Sequence, residues 1–70
     1  MNRTPVTSSN LRSVGYDSQN SVLEIEFHKS GTYQYSGVSA AQYKALMSAA
    51  SHGSYFIAHI KDAYPTRKIS

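Results

Sequence analysis

Hydrophobic and polar residues alternate along the middle of the chain in a pattern typical of β-strands. Over residues 22–28, Leu23, Ile25 and Phe27 alternate with polar side chains, which predicts a strand with one apolar face. Similar alternation over residues 11–17 and 32–36 predicts two further strands, and turn-forming residues separate the three segments. The pattern therefore predicts a three-stranded antiparallel meander.

Loop lengths predict the register of this meander. A loop over residues 29–31 pairs Phe27 with Tyr33 and Ile25 with Tyr35, and a loop over residues 17–20 pairs Tyr16 with Ser21. The apolar residues of all three strands then share one face. In the first strand, alternation also places Arg12 on the face of Val14 and Tyr16: the shared face is predicted to carry Arg12, Val14, Tyr16, Leu23, Ile25, Phe27, Tyr33 and Tyr35.

After the strands, the spacing of apolar residues changes to a helical period. Ser39 and Gln42 form a capping-box pattern, and an apolar stripe from Tyr43 to Ala50 predicts a helix over residues 40–50. Ser51 can cap a second helix over residues 52–62, which Pro65 follows. The fold class is therefore α+β, with two helices packed on one face of the sheet. Residues 1–10 are predicted to be an extended arm, residues 11–66 one domain, and residues 67–70 a short basic tail.

Composition limits the function classes. The 70 residues include no cysteine, which excludes a disulfide framework and a thiolate metal site, and the net charge of +3 favours anionic partners. The chain has neither a signal-peptide pattern nor an apolar run long enough to cross a bilayer, so no membrane partner and a cytoplasmic location are expected. A core of this size leaves little room for a deep pocket, so a small-molecule ligand is expected at a subunit interface of a homo-oligomer.

No catalytic constellation stands out. The glycines are too scattered for a phosphate-binding loop, Glu24 and Glu26 share the solvent face of one strand, and no nucleophile-elbow motif is present. His52 and His59 share a helix face with Tyr55 but stand two turns apart, too far to bind one metal ion. We therefore expect no enzyme, no metal and no cofactor. His52, Tyr55 and His59 form either a polar helix face or part of a binding groove.

Tyrosines and basic residues are the more informative combination. Six tyrosines can stack on bases and seven Lys and Arg can contact phosphates, although several of the tyrosines are expected in the core. Tyr55 and Tyr64 are the two tyrosines expected to be free. The basic residues are dispersed along the chain apart from Arg67 and Lys68, so the sequence contains no long basic stripe.

Several short motifs resemble the KTSC domain family, which is named for the C-terminus of some lysyl-tRNA synthetases. The matching motifs, in chain order, are Ser8-Ser9-x-Leu11, Gly15-Tyr16-Asp17, Leu23-x-Ile25-x-Phe27, Tyr33-x-Tyr35 with Gly37-Val38, Ser51-x-Gly53-x-Tyr55-Phe56, Ile60 and Tyr64-Pro65. The resemblance covers about Thr7 to Arg67 and implies a compact α+β domain, found as an appendage of larger proteins or alone in bacteria and phages. It implies no defined function, with RNA binding suggested by the synthetase context.

The resemblance also draws attention to particular residues. Ser8 and Ser9 match paired hydroxyls of the family, and serve either a ligand or the anchoring of the arm. Tyr33 and Tyr35 match its central motif, as core residues whose hydroxyls can reach a ligand. Ser51 and Gly53 open the second helix, where free backbone N–H groups favour a phosphate. The candidate ligand-binding residues are Ser8, Ser9, Arg12, Tyr33, Tyr35, Ser51, His52, Gly53, Tyr55, His59, Tyr64 and Arg67.

Three functions stay open at this point. The favoured hypothesis is non-catalytic binding of a phosphate-bearing nucleotide by a stand-alone, homo-oligomeric phage or bacterial protein. In its concrete form, the protein sequesters a nucleotide signal, such as an ADP-ribose derivative or a cyclic dinucleotide, and so blunts host defence. The alternative is an RNA-binding accessory domain in which Arg3, Arg12, Lys61, Arg67 and Lys68 collect on one surface. A third is a protein-interaction module that uses the open sheet face or an edge strand.

Overall fold

The computed structural model describes residues 1–70, which form an antiparallel sheet and two helices. The elements in chain order are β1 (Arg3–Pro5), β2 (Leu11–Asp17), β3 (Val22–Phe27), β4 (Gly31–Ser36), α1 (Ala40–Ser48), α2 (His52–His59) and β5 (Thr66–Lys68). The strand order in the sheet is β1-β2-β3-β4-β5. The α+β class, the central meander and the two helices agree with the prediction, whereas the sheet has five strands and not three.

Both additional strands lie at the edges of the sheet. Arg3 of β1 pairs with Gly15, so part of the predicted arm is a strand. Arg67 of β5 pairs with Gln34, so the predicted basic tail continues a strand antiparallel to β4. Each strand has three residues, and no residue of either is buried. Three exposed residues are too few to show an alternation of apolar and polar side chains in the sequence. These segments are strands because they pair with β2 and β4.

The register of the meander differs from the prediction by two residues at both turns. Ile25 pairs with Tyr33 and Leu23 with Tyr35, because Phe27 pairs directly with Gly31, which has a positive φ of 95°. Likewise, at the turn between β2 and β3, Tyr16 pairs with Leu23 and not with Ser21. Side chains alternate with a period of two along a strand, so a two-residue shift leaves each of them on its predicted face.

A β-bulge near the start of β2 overturns the predicted position of Arg12. The register shifts between Leu11 and Ser13, so Leu11 pairs with Phe27 while Ser13 pairs with Glu26. Leu11 is fully buried in the core and Arg12 is exposed. Strict alternation placed Arg12 on the face of Val14, and the extra residue of the bulge accounts for this error.

The core lies between the sheet and the helices. Its nine buried hydrophobic residues are Leu11, Val14, Leu23, Ile25, Tyr35, Val38, Leu46, Phe56 and Ile60. The sheet face that they share is called the inner face below, and the opposite one the outer face. Tyr16 fastens the start of the helical region to the sheet, since its hydroxyl donates to the Val38 carbonyl oxygen at 2.6 Å and its ring stacks on Tyr43.

Each helix begins with a serine cap and ends two or three residues earlier than predicted. The Ser39 hydroxyl accepts from Gln42 N, and the Ser51 hydroxyl accepts from Ser54 N. Helix α1 ends at Ser48. The Leu46 carbonyl oxygen near this end accepts from Ala49 N, and the ring Nδ1 of His52 lies 2.9 Å from the same oxygen. Neither α1 nor α2 has the length and apolar composition of a membrane-spanning helix.

The outer face carries a row of polar contacts. Arg3 extends over Gly15 to Glu24, with 3.3 Å between its Nη1 and the Glu24 Oε2, and the same nitrogen donates to the Thr32 hydroxyl. Gln34 donates to the other Glu24 oxygen at 3.0 Å. A β-carbon on Gly15 would lie 2.9 Å from the Arg3 Cγ, so the path of Arg3 requires glycine there. Arg3 thus ties edge strand β1 to the centre of the sheet.

Candidate functional site

A groove of about 680 Å³ lies between the inner face of the sheet and helix α2. It is called the groove from here on, and its lining residues are Ser9, Asn10, Phe27, His28, Lys29, Ser30, Tyr33, Tyr35, Phe56, Ile57, Lys61, Asp62 and Thr66. The loop before β2 and the β3–β4 turn form its rim, and the residues after α2 form the opposite side. Its volume falls in the range of small-molecule sites.

Aromatic rings line one side of the groove. Phe27 meets Tyr33 and Phe56 edge to face, with ring centroids 5.7 and 5.3 Å apart. Tyr35 meets Phe56 in the same way at 5.4 Å. Edge-to-face packing fixes each ring against the next, so the groove presents a preformed aromatic surface.

Tyr35 is the buried polar residue of this surface. Only 4% of the residue is exposed, and its hydroxyl has no hydrogen-bond partner in the chain, yet the structure contains no buried unsatisfied polar side-chain atom. The hydroxyl therefore opens into the groove. Burial, with smaller contributions from Tyr33 and Asp62, raises the pKa of Tyr35 to about 12. The hydroxyl is neutral at physiological pH and can both donate and accept.

The charged residues of the groove are free of ion pairs. Lys29 and Lys61 line it together with Asp62, and none of the three forms a salt bridge. The Nζ of Lys68 lies 6.0 Å from the centroid of the Tyr33 ring, at the limit of a cation–π contact. The two ion pairs of the chain are on the outer face, so Lys29, Lys61 and Asp62 stay unpaired at the groove.

Hydrogen bonds fix the loop at the rim. The Ser8 hydroxyl accepts from the backbone N–H groups of Asn10 and Leu11, both at 3.3 Å. His28 joins this loop to the β3–β4 turn, because its N–H donates to the Asn10 carbonyl oxygen and its Nε2 lies 2.9 Å from the Ser8 carbonyl oxygen. Of the predicted hydroxyl pair, Ser8 anchors the loop, and this leaves Ser9 to face the groove.

The start of helix α2 lies outside the groove. Ser51 caps the helix, His52 contacts the end of α1, and Gly53 is buried against the loop before β2. A β-carbon on Gly53 would lie 3.3 Å from Asn10 Nδ2 and 3.5 Å from Ser8 Oγ. The Ser51 hydroxyl binds one of the N–H groups, that of Ser54, where the sequence suggested a phosphate.

Tyr55, His59 and Tyr64 form a separate cluster that joins the helices. Gln42 of α1 accepts a hydrogen bond from the Tyr55 hydroxyl and donates to the Tyr64 hydroxyl at 3.2 Å. The rings of Tyr55 and His59 lie 4.4 Å apart. Both of the tyrosines expected to be free are thus hydrogen-bonded within the fold.

The structure brings three of the twelve candidate residues together in the groove: Ser9, Tyr33 and Tyr35. Arg12 and Arg67 are remote from it, since Arg12 lies 4.0 Å from Glu26 and Arg67 pairs with Gln34 in the sheet. Sequence reasoning missed Lys29 and Asp62 as groove residues, and it assigned Lys61 only to the surface of the RNA hypothesis. In the sequence they are simply polar residues in a turn or after a helix, and most surface residues have this character. No cluster of three or more His, Cys, Asp or Glu residues suited to a metal ion is present.

The fold defines this chain as a small α+β domain with a helix-covered antiparallel meander. A family model described as the KTSC domain matches residues 7–64, and the chain belongs to the KTSC domain family. The crystal structure of a KTSC domain protein from Yersinia pestis matches with a TM-score of 0.97 at 46% identity, over 99% of this chain and 97% of that one. An uncharacterized protein of Stutzerimonas stutzeri (strain A1501) is 41% identical over 56 residues, covering 80% of this chain and 79% of that protein.

Proposed function

We propose that the protein is a non-catalytic binding protein for a phosphate-bearing nucleotide, which it holds in the groove. One observation carries the proposal: aromatic rings, a buried tyrosine with an unpartnered hydroxyl and two unpaired lysines line a single cavity of about 680 Å³. A nucleotide has a flat base, a polar base edge and an anionic phosphate, so its three parts match the three kinds of lining residue.

The aromatic surface supports base binding. Phe27 and Tyr33 lie at the open part of the inner face and are half-buried, so each ring keeps exposed area. Stacking of one base on an aromatic side chain contributes about 1–3 kcal/mol in single-stranded nucleic-acid complexes. The hydroxyl of Tyr35 adds a neutral polar group beside the rings.

The lysines support phosphate binding. Lys29 projects from the β3–β4 turn and Lys61 from the segment after α2, so they reach the groove from two sides. Neither has an ion-pair partner that a phosphate would have to displace. The ammonium groups are exposed and hydrated, and each contributes a modest, salt-dependent share of the affinity.

Sequestration of a nucleotide signal is the stronger form of this proposal. One chain offers an open groove, and retention of a ligand such as an ADP-ribose derivative or a cyclic dinucleotide requires that the groove be closed. A second copy of the chain is the simplest cover, and the exposed Ile57 on the groove wall offers it an apolar contact.

The distribution of positive charge favours the nucleotide over RNA. The five cations of the RNA hypothesis do not share a surface, because Arg3 pairs with Glu24 on the outer face while Lys61 lines the groove. An RNA strand bound by phosphate contacts would need a continuous basic path.

Thermal unfolding with a panel of nucleotides and short RNAs, at low and moderate salt, tests the proposal. A nucleotide should raise the melting temperature by several degrees at both salt concentrations, by mass action on the folded state. The double variant Lys29→Ala/Lys61→Ala should lose part of this shift, and a larger part at low salt. Its matched control is Arg12→Ala/Lys44→Ala, which removes two exposed cations outside the groove.

Two results would contradict nucleotide binding in the groove. One is the absence of a shift with every nucleotide, and the other is an equal loss of the shift in both double variants. A shift with RNA alone that disappears as salt rises would instead support the accessory-domain hypothesis.

A further inference from the structure

We propose that the groove selects guanine among the nucleobases and that Asp62 is the residue that reads it. This inference rests on the proposed function, because it names the base that the nucleotide carries. Of the two signals named there, it favours a guanine-containing cyclic dinucleotide, since an ADP-ribose derivative carries adenine. The observation behind it is that an unpaired carboxylate and an unpartnered tyrosine hydroxyl line the same aromatic groove.

Asp62 differs from the other acidic residues of the chain. The other three carboxylates all have partners within the chain. Asp17 accepts from Gln19 and Asn20. Glu24 contacts Arg3 and Gln34, and Glu26 contacts Ser13 and Arg12. Asp62 has neither a hydrogen bond nor an ion pair within the chain, and it is the one acidic residue that lines the groove. Its acceptor capacity is therefore available to a ligand.

The chemistry of the base edges decides which ligand suits this carboxylate. An ionised carboxylate only accepts hydrogen bonds, and its two oxygens suit two adjacent donors. Guanine presents such a pair, N1–H and the N2 amino group, on its Watson–Crick edge. Adenine presents the N1 lone pair, which the carboxylate repels. Uracil has one donor between two carbonyl oxygens, and cytosine has one amino group beside a ring acceptor.

Tyr35 completes the match to guanine. Asp62 and Tyr35 both line the groove. The hydroxyl stays protonated because the ring is buried, and it has no partner in the chain. It can donate to the guanine O6, the acceptor next to N1–H, while Asp62 accepts from N1–H and N2.

Three mononucleotides separate these contributions because they share the ribose and the phosphate. GMP offers O6, N1–H and the N2 amino group, IMP lacks only the amino group, and AMP lacks both O6 and N1–H. Calorimetric titration of the full chain should give affinities in the order GMP, IMP, AMP, with about tenfold or more between GMP and AMP, as bidentate base contacts provide.

Asp62→Asn is the decisive variant, and the ratio of GMP to AMP affinity is its readout. The substitution removes a negative charge and so strengthens phosphate binding for both nucleotides, which leaves the ratio unaffected. The amide also pairs well with adenine, so the ratio should fall by about tenfold or more. Asp17→Asn is the matched control, because it removes one negative charge outside the groove and asparagine also supports that turn.

Equal affinities for GMP and AMP, or a ratio that Asp62→Asn leaves unchanged, would overturn guanine selection while the nucleotide-binding function stands. Absence of binding for all three mononucleotides would overturn guanine selection, and the proposed function falls with it if no other nucleotide shifts the melting temperature. Tyr35→Phe provides an independent check, since it should weaken GMP and IMP alike and leave AMP unaffected if the hydroxyl donates to O6.

Discussion

At the scale of single residues, the clearest constraint concerns the space above Gly15. Arg3 crosses the sheet at this position to reach Glu24, and its Cγ atom lies within 2.9 Å of where a β-carbon would be. The backbone oxygen of Asn2 lies equally close. A side chain at residue 15 would therefore push β1 away from the sheet.

Gly15→Ala should destabilise the fold by about 1–2 kcal/mol, because the new methyl group overlaps Arg3 and Asn2. Urea unfolding measures the loss. In an Arg3→Ala background the same substitution should cost less, since the Cγ atom that it meets is absent. Equal costs in the two backgrounds would show that the close approach of Arg3 does not constrain this position.

Tyr35 gives a pH-dependent prediction at the same scale. Its pKa is raised to about 12 in the folded chain by burial, whereas an unfolded tyrosine titrates near pH 10, its model value. The unfolded state loses this proton first, so the contribution to stability is complete below pH 10 and is lost as pH rises to about 12. Tyrosinate absorbance should show a late-titrating group that Tyr35→Phe removes. If the late phase persists in the variant, another tyrosine is responsible.

At the scale of elements, the residues at the start of helix α2 make structural contacts and do not line the groove. Ser51 caps the helix, and Gly53 packs against the loop that Ser8 anchors. That loop carries Ser9 and Asn10 into the groove, so the same contacts that hold α2 also position the rim. The family motif around these residues thus has a structural explanation.

Ser51→Ala should cost about 1 kcal/mol of unfolding free energy through the lost cap. Ser48→Ala is the comparison, because it removes an exposed hydroxyl without a hydrogen-bond partner and should change stability by less than about 0.5 kcal/mol. Nucleotide affinity, measured well below the melting temperature, should be unchanged in both. A large loss of affinity in Ser51→Ala alone would place the phosphate at the helix start and not at the lysines.

At the scale of the whole molecule, size limits how a ligand can be enclosed. The chain has nine core residues and a radius of gyration of 10.6 Å, so its interior is filled by its own side chains. The groove is consequently a surface feature with one open side. Ile57, a wall residue, is 58% exposed, more than the other large hydrophobic residues of the chain.

A saturating nucleotide should therefore promote self-association, because a second copy would cover the ligand and Ile57 together. Sedimentation equilibrium with and without nucleotide measures the change in mass. Ile57→Asp should weaken the association, whereas Ala58→Asp places the same charge on the neighbouring exposed residue and should weaken it less. A ligand-bound monomer in the unmodified chain would contradict closure by a second copy.

The sequence by itself determined the elements whose signals are local. Alternation at Leu23, Ile25 and Phe27 defined the central strand, the caps at Ser39 and Ser51 defined both helix starts, and ordered motifs identified the family. Even the incorrect register preserved the predicted faces of all the residues assigned to the shared face except Arg12, because both errors were of two residues.

The tertiary structure alone decided the features that depend on distant partners. β1 and β5 are strands because Gly15 and Gln34 pair with them, and Arg12 turns outward because of a bulge that no spacing rule reveals. Lys29, Lys61 and Asp62 share a cavity because the β3–β4 turn and the segment after α2 line the same groove. Pairing and proximity between segments far apart in sequence leave no local pattern, so only the folded chain shows them.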